Sequence, residues 1–377
     1  MTTLSDDTLQ RRIARMIGAA GAAKALNVES NSCLGTSLGS VRKENQDRAI
    51  IVWAEYAESP ERNFTLAVLS DGMGGMTNGE EAATITISVF VSRVLRTSRM
   101  PPQDCLRNAA QLSNNSVYDR LGGRGGATLS AVLLGTNGSK FGVNVGDSRI
   151  YAATASRELV QISQDDTLAG VLGERHNSNE NRNRLVQFIG MGEGIEPNIL
   201  DVNRQDFETI LLTSDGVHGA SIGTLGQIVR KARSESDLTR KFLSLSEILG
   251  GQDNGTVIAL GRPERKQASD SDQGLSLTFL TVSERLEIWI PVLGEDSKHE
   301  RSRPVSIERT EPEFLPNNNS APSNSPPSKD VDLPKKKRKS QPRVSRSIKG
   351  NRTEQQGLLL EDEKPTPVLD IKFPPSE

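Results

Sequence analysis

The order of the short apolar runs constrains the fold more than any other feature of this chain. AIIVW (49–53) and FTLAVL (64–69) come first, and two helix-length stretches, 79–98 and 102–121, follow back to back. ATLSAVLLG (127–135), KFGVNVG (140–146), RIYAAT (149–154), TILLT (209–213) and TVIAL (256–260) come next, with a further helix pair across about 224–249. Runs this short and β-branched, bounded by turn residues, predict strands. Strand pairs followed by helix pairs are not a β-α-β rhythm. They predict antiparallel sheets with segregated helices, an α+β layered domain.

The strand and helix pattern places this domain at residues 28–262, preceded by a helical extension over 1–27. Arg11 and Arg12 before an apolar stretch loosely mimic an export signal, but Asp6 and Asp7 precede them and Arg15 breaks the stretch. A short amphipathic helix is expected instead. Residues 263–294 read as a linker with one β-hairpin at 275–292. From 295 to 377 Pro, Ser, Asn and charged residues dominate, and 335–352 form a basic cluster. That composition buries too little apolar surface to offset its ordering entropy, so a disordered tail is expected, with a short docking segment near LLLEDEKPTPVLDIKF.

Charge and cysteine content narrow the function classes. Forty-six basic and 48 acidic residues leave a net charge of -2, which excludes a surface built wholly for polyanions. Cys33 and Cys105 are the only cysteines and form no CxxC pair, which disfavours a disulfide framework or thiolate zinc site and fits a reducing cytoplasm. No run of about 18 apolar residues offers a membrane span.

The chemistry is signalled by aspartates that share one local context. Asp71 follows a strand in LAVLSDGMGG, Asp215 follows one in ILLTSDGVHG, and Asp253 precedes one in GQDNGTVIAL. Asp47 stands at a strand's start in NQDRAIIVW, and Asp147 lies between two strands in NVGDSRIY. Any single Asp-Gly is an ordinary turn. Five at strand ends would crowd carboxylates into one cleft, where they repel unless cations neutralise them. Oxygen ligands without histidine or thiolate suit Mg²⁺ or Mn²⁺. Gly72 and Gly74 would let backbone carbonyls approach an ion.

In order, VRKENQD, LSDGMGGMTNGEEAA, GGATL, NVGDSRIY, LLTSDG and GGQDNGTVI resemble the metal-dependent protein Ser/Thr phosphatases of type 2C, in their bacterial form, over about residues 34–260. The resemblance implies a four-layer α-β-β-α sandwich of two antiparallel sheets flanked by helix pairs. It also implies two Mn²⁺ or Mg²⁺ ions, with a weaker third, at one end of the sandwich. Asp71 matches the bridging metal ligand, the Gly72 carbonyl a ligand of one ion, and Asp215 and Asp253 ligands of the other. Asp47, with the position before it, matches the remaining acidic pair, Asp147 matches a ligand of the third ion, and Arg42 matches the phosphate-holding residue. The implied activity is hydrolysis of phosphoserine and phosphothreonine by in-line attack of a metal-bound hydroxide, on phosphoproteins modified by a Ser/Thr kinase.

Three departures bear on that reading. Gln46 replaces a common Glu, Met73 stands where animal relatives carry a histidine proton donor, and Gly219 replaces an Asp that supports the third ion. Gln46 and Gly219 keep a rival open: a pseudophosphatase or phosphoprotein-binding scaffold of the same fold. The polar run GERHNSNENRNR, between Asp165 and Pro197, matches the family's variable flap beside the cleft.

Other motifs are weaker. GTSLG (35–39) satisfies the G-x-S-x-G pattern, but Ser37 lacks the strand-turn-helix context of a nucleophile elbow. GGRGG (122–126) lacks the Lys-Ser/Thr of a P-loop and reads as a tight loop. His176, His218 and His299 show no metal-ligand spacing, and PKKKRK (334–339) reads as a solvated basic run, with anion or nucleic-acid contact through the basic tail as the lesser alternative.

Overall fold

The computed structural model describes residues 6–18, 24–73, 78–172, 184–204, 206–262, 274–291 and 313–314. The basic run at 334–339, the segment near residue 370 and most of the polar run at 173–184 lie outside them. Residues 1–320 form one compact unit, and the description concerns that unit.

Two antiparallel sheets, each of seven strands among the described residues, stack face to face. The first contains β1 (Lys24–Glu29), β2 (Ser32–Ser37), β7 (Arg149–Ala153), β8 (Leu159–Gln161), β10 (Thr209–Thr213), β11 (Gly255–Gly261) and β14 (Glu313–Phe314). Its order is β14-β1-β2-β11-β10-β7-β8. The second contains β3 (Arg48–Tyr56), β4 (Phe64–Ser70), β5 (Leu129–Gly135), β6 (Lys140–Val145), β9 (Asn198–Asp201), β12 (Gly274–Leu280) and β13 (Arg285–Pro291), in the order β13-β12-β3-β4-β5-β6-β9. The strands expected at 49–53, 64–69, 127–135 and 140–146 all fall in this second sheet.

Helices cover the outer faces, giving the four layers expected. Helices α1 (Asp6–Gly18), α2 (Gly79–Thr97) and α3 (Pro102–Leu121) share one apolar core with the second sheet. α2 carries Ala82, Ala83, Thr86, Ile87, Phe90, Val91 and Val94 on its buried side, the i, i+3, i+4 spacing of an amphipathic helix. α3 begins with Pro102 at its first position and ends at Gly122 in the left-handed region, so GGRGG is the loop that stops a helix. Short α4 (Leu168–Leu172) follows β8, while α5 (Ile222–Lys231) and α6 (Glu235–Ile248) form the expected pair. Ser221 and Ser234 cap them by accepting from Thr224 and Asp237 backbone N–H groups.

Two segments are more integral than their sequences suggested. α1 buries Leu9, Ile13, Met16 and Ile17 in the α2–α3 core. The hairpin β12–β13 pairs in register with β3, Leu277 opposite Ala54 and Phe279 opposite Val52, and sends Leu277, Phe279, Leu286 and Ile288 into the same core.

Candidate active site

Every loop that carries a candidate residue leaves the sandwich at the same end. Arg48 opens β3 opposite Ser70, the last residue of β4. Leu129 opens β5 opposite Val145, the end of β6. Thr213 ends β10 opposite both Arg149, the start of β7, and Val257 of β11. Gly255 opens β11 opposite Ser37, the end of β2. The strand pairing thus brings Arg42, Asp47, Asp71, Gly72, Asp147, Asp215 and Asp253 to one rim.

The carboxylates there act on one another. Asp71 lies well above the ordinary carboxylate range, because of burial first and then repulsion from Asp47, Asp215, Asp147 and Asp253. Burial pushes Asp47 up to about 6, against hydrogen bonds from Thr256 and Ser214 and with repulsion from Asp215 and Asp253. Asp147 is pushed up to about 7 by burial, then by Asp215 and Asp165. Asp215 is raised by burial and by Asp253, an effect tempered by its hydrogen bond with Asp71. Arg42 donates from Nη2 to Asp253 Oδ2 at 2.6 Å, and that bond raises its own pKa.

Backbone and small polar side chains hold the rim in shape. The Asp71 N–H donates to Thr128 Oγ1 at 2.9 Å, and the Thr128 N–H donates back to Asp71 O at 2.8 Å. A Cβ on Gly72 would lie 2.4 Å from Gly79 O and 2.8 Å from Gln46 O, so only glycine fits. Asn254 accepts from the Gln46 N–H at 2.9 Å and donates to Leu38 O at 2.9 Å, tying the Arg42–Asp47 loop to the start of β11. Ser214 donates to Asp47 Oδ2 at 2.8 Å and accepts from the Thr256 N–H at 2.9 Å. Thr128, Ser214 and Asn254 lie inside the motifs GGATL, LLTSDG and GGQDNGTVI, but small polar residues are common at turns and the motifs alone assigned them no role.

The residues present fit divalent cations. The candidate side-chain donors are all oxygen, they repel one another, and Asp47 Oδ1 is buried without a hydrogen-bond partner. Among the described residues no three Asp, Glu, His or Cys side chains are grouped so as to hold an ion; Asp253 is turned to Arg42 and Asp47 to Ser214. The departures are accommodated. The Gln46 amide oxygen lies toward Gly79, the Met73 N–H donates to Gly126 O at 3.0 Å, and Gly219 faces open space. Gly74, His176 and His299 lie outside the described residues. His218 is buried against Thr213 Oγ1 at 3.0 Å and held neutral, chiefly by burial. Cavities of about 560 and 610 Å³ lie elsewhere, and none of the five aspartates lines either.

A layered sandwich with an acidic rim of this kind defines a metal-dependent hydrolase class, and comparison with known proteins identifies it. Residues 35–254 match the family described as Protein phosphatase 2C, and the chain belongs to that family. By class it is a serine/threonine protein phosphatase, a hydrolase of phosphoric monoesters. It is 25% identical over 254 residues to Serine/threonine phosphatase stp of Listeria welshimeri, spanning 63% of this chain and 97% of the relative. It is 25% identical over 245 residues to Protein phosphatase PhpP of Streptococcus pneumoniae, spanning 61% and 96%. Of solved structures, Stp1 from Staphylococcus aureus superposes with a TM-score of 0.53 at 24% identity, over 64% of this chain and 98% of that one. PstP/Ppp of Mycobacterium tuberculosis gives 0.50 at 25% identity, over 63% and 100%. Among the described residues no helix is long and apolar enough to cross a membrane.

Proposed function

We propose that the rim holds divalent cations and hydrolyses phosphoserine and phosphothreonine in protein substrates, opposing a Ser/Thr kinase in the cytoplasm. The observation that carries this reading is the crowding of Asp71, Asp147 and Asp215 at one rim around Asp47, which is buried with one oxygen unpartnered and repels Asp71. Asp71 and the Gly72 carbonyl, with Asp47, Asp215 and Asp253, would hold two Mn²⁺ or Mg²⁺ ions, and Asp147 with Asp215 a weaker third. Such ions supply Lewis acidity and lower the pKa of water between them. The chain's own contributions are positional. Thr128 fixes the Asp71 backbone, Asn254 fixes the loop that carries Arg42, and the Arg42 fork suits a phosphate's oxygens. Charge-assisted contacts held in place before the reaction stabilise charge developing on the phosphoryl oxygens without reorganisation.

Phosphate release from an aryl phosphate and a phosphothreonine peptide should require added Mn²⁺ or Mg²⁺. Asp71→Asn should lower kcat about 10³-fold, the scale on which loss of preorganised charge acts. Full activity in excess EDTA would refute the reading.

A further inference from the structure

One buried carboxylate outside the acidic rim has both oxygens engaged. Asp166 is only 7% exposed. Its Oδ2 accepts from the Gly146 N–H at 2.9 Å and from Gln187 Nε2 at 2.8 Å, and its Oδ1 accepts from Asn198 Nδ2 at 2.8 Å. Its backbone repeats the linkage, donating to Gly146 O at 2.9 Å and accepting from the Val186 N–H at 2.8 Å. Gln187 is itself doubly bonded to the Glu196 backbone, at 3.1 Å each way. Three pieces of chain therefore meet at one side chain: the segment from Val186 to Glu196, the start of β9, and the β6–β7 turn.

The turn is the piece that matters for the rim. Gly146 has φ +101°, and a Cβ there would lie 2.8 Å from Thr128 Cγ2. The hydroxyl of the same Thr128 receives the Asp71 N–H and pairs with Ser148 Oγ at 2.7 Å. Gly146 is thus wedged between Asp166 on one side and the residue that orients Asp71 on the other, and the next residue is Asp147.

We propose that Asp166 is a positioning residue for the acidic rim: by fixing Gly146 from outside, it sets where Asp147 meets a divalent cation and ties that position to the 186–198 segment. The inference rests on Asp147 being a cation ligand. The geometry explains why an acid is needed. Three N–H donors converge on two oxygens, so removing the carboxylate leaves the buried Gly146 N–H and two half-buried amides short of an acceptor and the turn unanchored.

The test is Mn²⁺ titration calorimetry on the whole chain, alongside phosphate release. Asp166→Ala should weaken the weakest class of Mn²⁺ binding about tenfold, the usual cost of losing a residue that orients a ligand. The exchange D166N/N198D, which keeps a donor facing an acceptor, should recover most of that loss. Val94→Ala, a core change in α2 far from the turn, should leave the isotherm unchanged at a comparable drop in melting temperature. If Asp166→Ala fails to fold, Gln187→Ala and Asn198→Ala should show the same direction at smaller size. A wild-type isotherm in these variants, or an equal loss in Val94→Ala, overturns the positioning role while leaving the phosphatase reading intact. A wild type that binds no Mn²⁺ overturns both.

Discussion

The middle of the sandwich and its acidic end are built from the same strands and obey opposite physics. Between the sheets, Leu34, Ile51, Leu69, Val132, Ile210 and Ile258 are fully buried against one another. A few residues along those strands, or just past them, Asp47 is buried, Asp71 and Asp147 are half-buried and Asp215 reaches the surface, yet desolvation and repulsion from neighbouring carboxylates raise the pKa of all four. Burying an aliphatic side chain stabilises by about 1.5–3 kcal/mol, whereas burying a carboxylate among like charges costs free energy until a cation arrives. The aliphatic middle offsets the acidic rim, and its rigidity holds the carboxylates where they would not collect unaided.

Substitutions in the two regions should therefore move stability in opposite directions. Phe90 is fully buried in the α1–α3 core, and Phe90→Ala should cost about 3–5 kcal/mol in denaturant unfolding with EDTA present. Asp71→Asn, measured the same way, should instead melt at or above the wild type, because it removes one of several crowded like charges. A clear loss of stability in Asp71→Asn under EDTA would show that the rim is not electrostatically strained.

The pH dependence of the metal-free protein sharpens the same contrast. Asp47 near 6 and Asp147 near 7 keep protons in the fold that the unfolded chain, at ordinary carboxylate values of about 3.9, has already released. Unfolding between those limits sheds protons, so stability falls as pH rises. The contribution of these two groups is fully present below about pH 4 and lost as pH passes about 7, at about 1.4 kcal/mol per pKa unit before coupling reduces it. Urea midpoints in EDTA should drop across that window, and saturating Mn²⁺ should flatten the drop by binding the ionised carboxylates. A midpoint that rises between pH 5 and 7 in EDTA would contradict the burial of these groups.

The same contrast decides what was legible from sequence. The five rim aspartates could be read because each sits at a strand tip, and a β-branched run marks its own end. Strands β1 and β2 were not delineated, since KALNVE and SCLGTS lack a β-branched run. Packing makes them strands. At Gly35 an added Cβ would stand 2.7 Å from Thr239 Cγ2 and 3.0 Å from Leu243 Cδ1, so α6 lies directly on β2 and only a bare backbone fits. α1 and the β12–β13 hairpin could be foreseen as elements but not as core, because amphipathic spacing names a face and not its partner. Asp166 was unreadable for a further reason. Its three donors come from residues 146, 187 and 198, and only the folded chain brings them together.

Ser37 offers the smallest expected effect and a stringent comparison with the rim. It closes β2 at the catalytic end, is buried, and lies inside a G-x-S-x-G pattern, three features of a nucleophile. Its contacts say otherwise. Ser37 Oγ donates to Glu247 Oε1 at 3.1 Å and accepts from the Gly39 N–H at 3.3 Å, while Glu247 is already engaged by Lys24 at 2.9 Å. These bonds pin the end of β2 to α6 and shape the turn into the Arg42 loop. The carboxylate beside the hydroxyl, Glu247, is paired with the Lys24 ammonium, and His218 is bonded to Thr213 and not to Ser37, so no histidine base activates it. Ser37→Ala should therefore cost about 0.5–1.5 kcal/mol in stability, the usual worth of a hydrogen bond. Metal-dependent phosphate release should stay within about twofold of wild type, because the residue supplies no group to the reaction. A hundredfold fall in kcat with stability intact would mean that a seryl nucleophile takes part, and the carboxylate rim would then be a support and not the reaction centre.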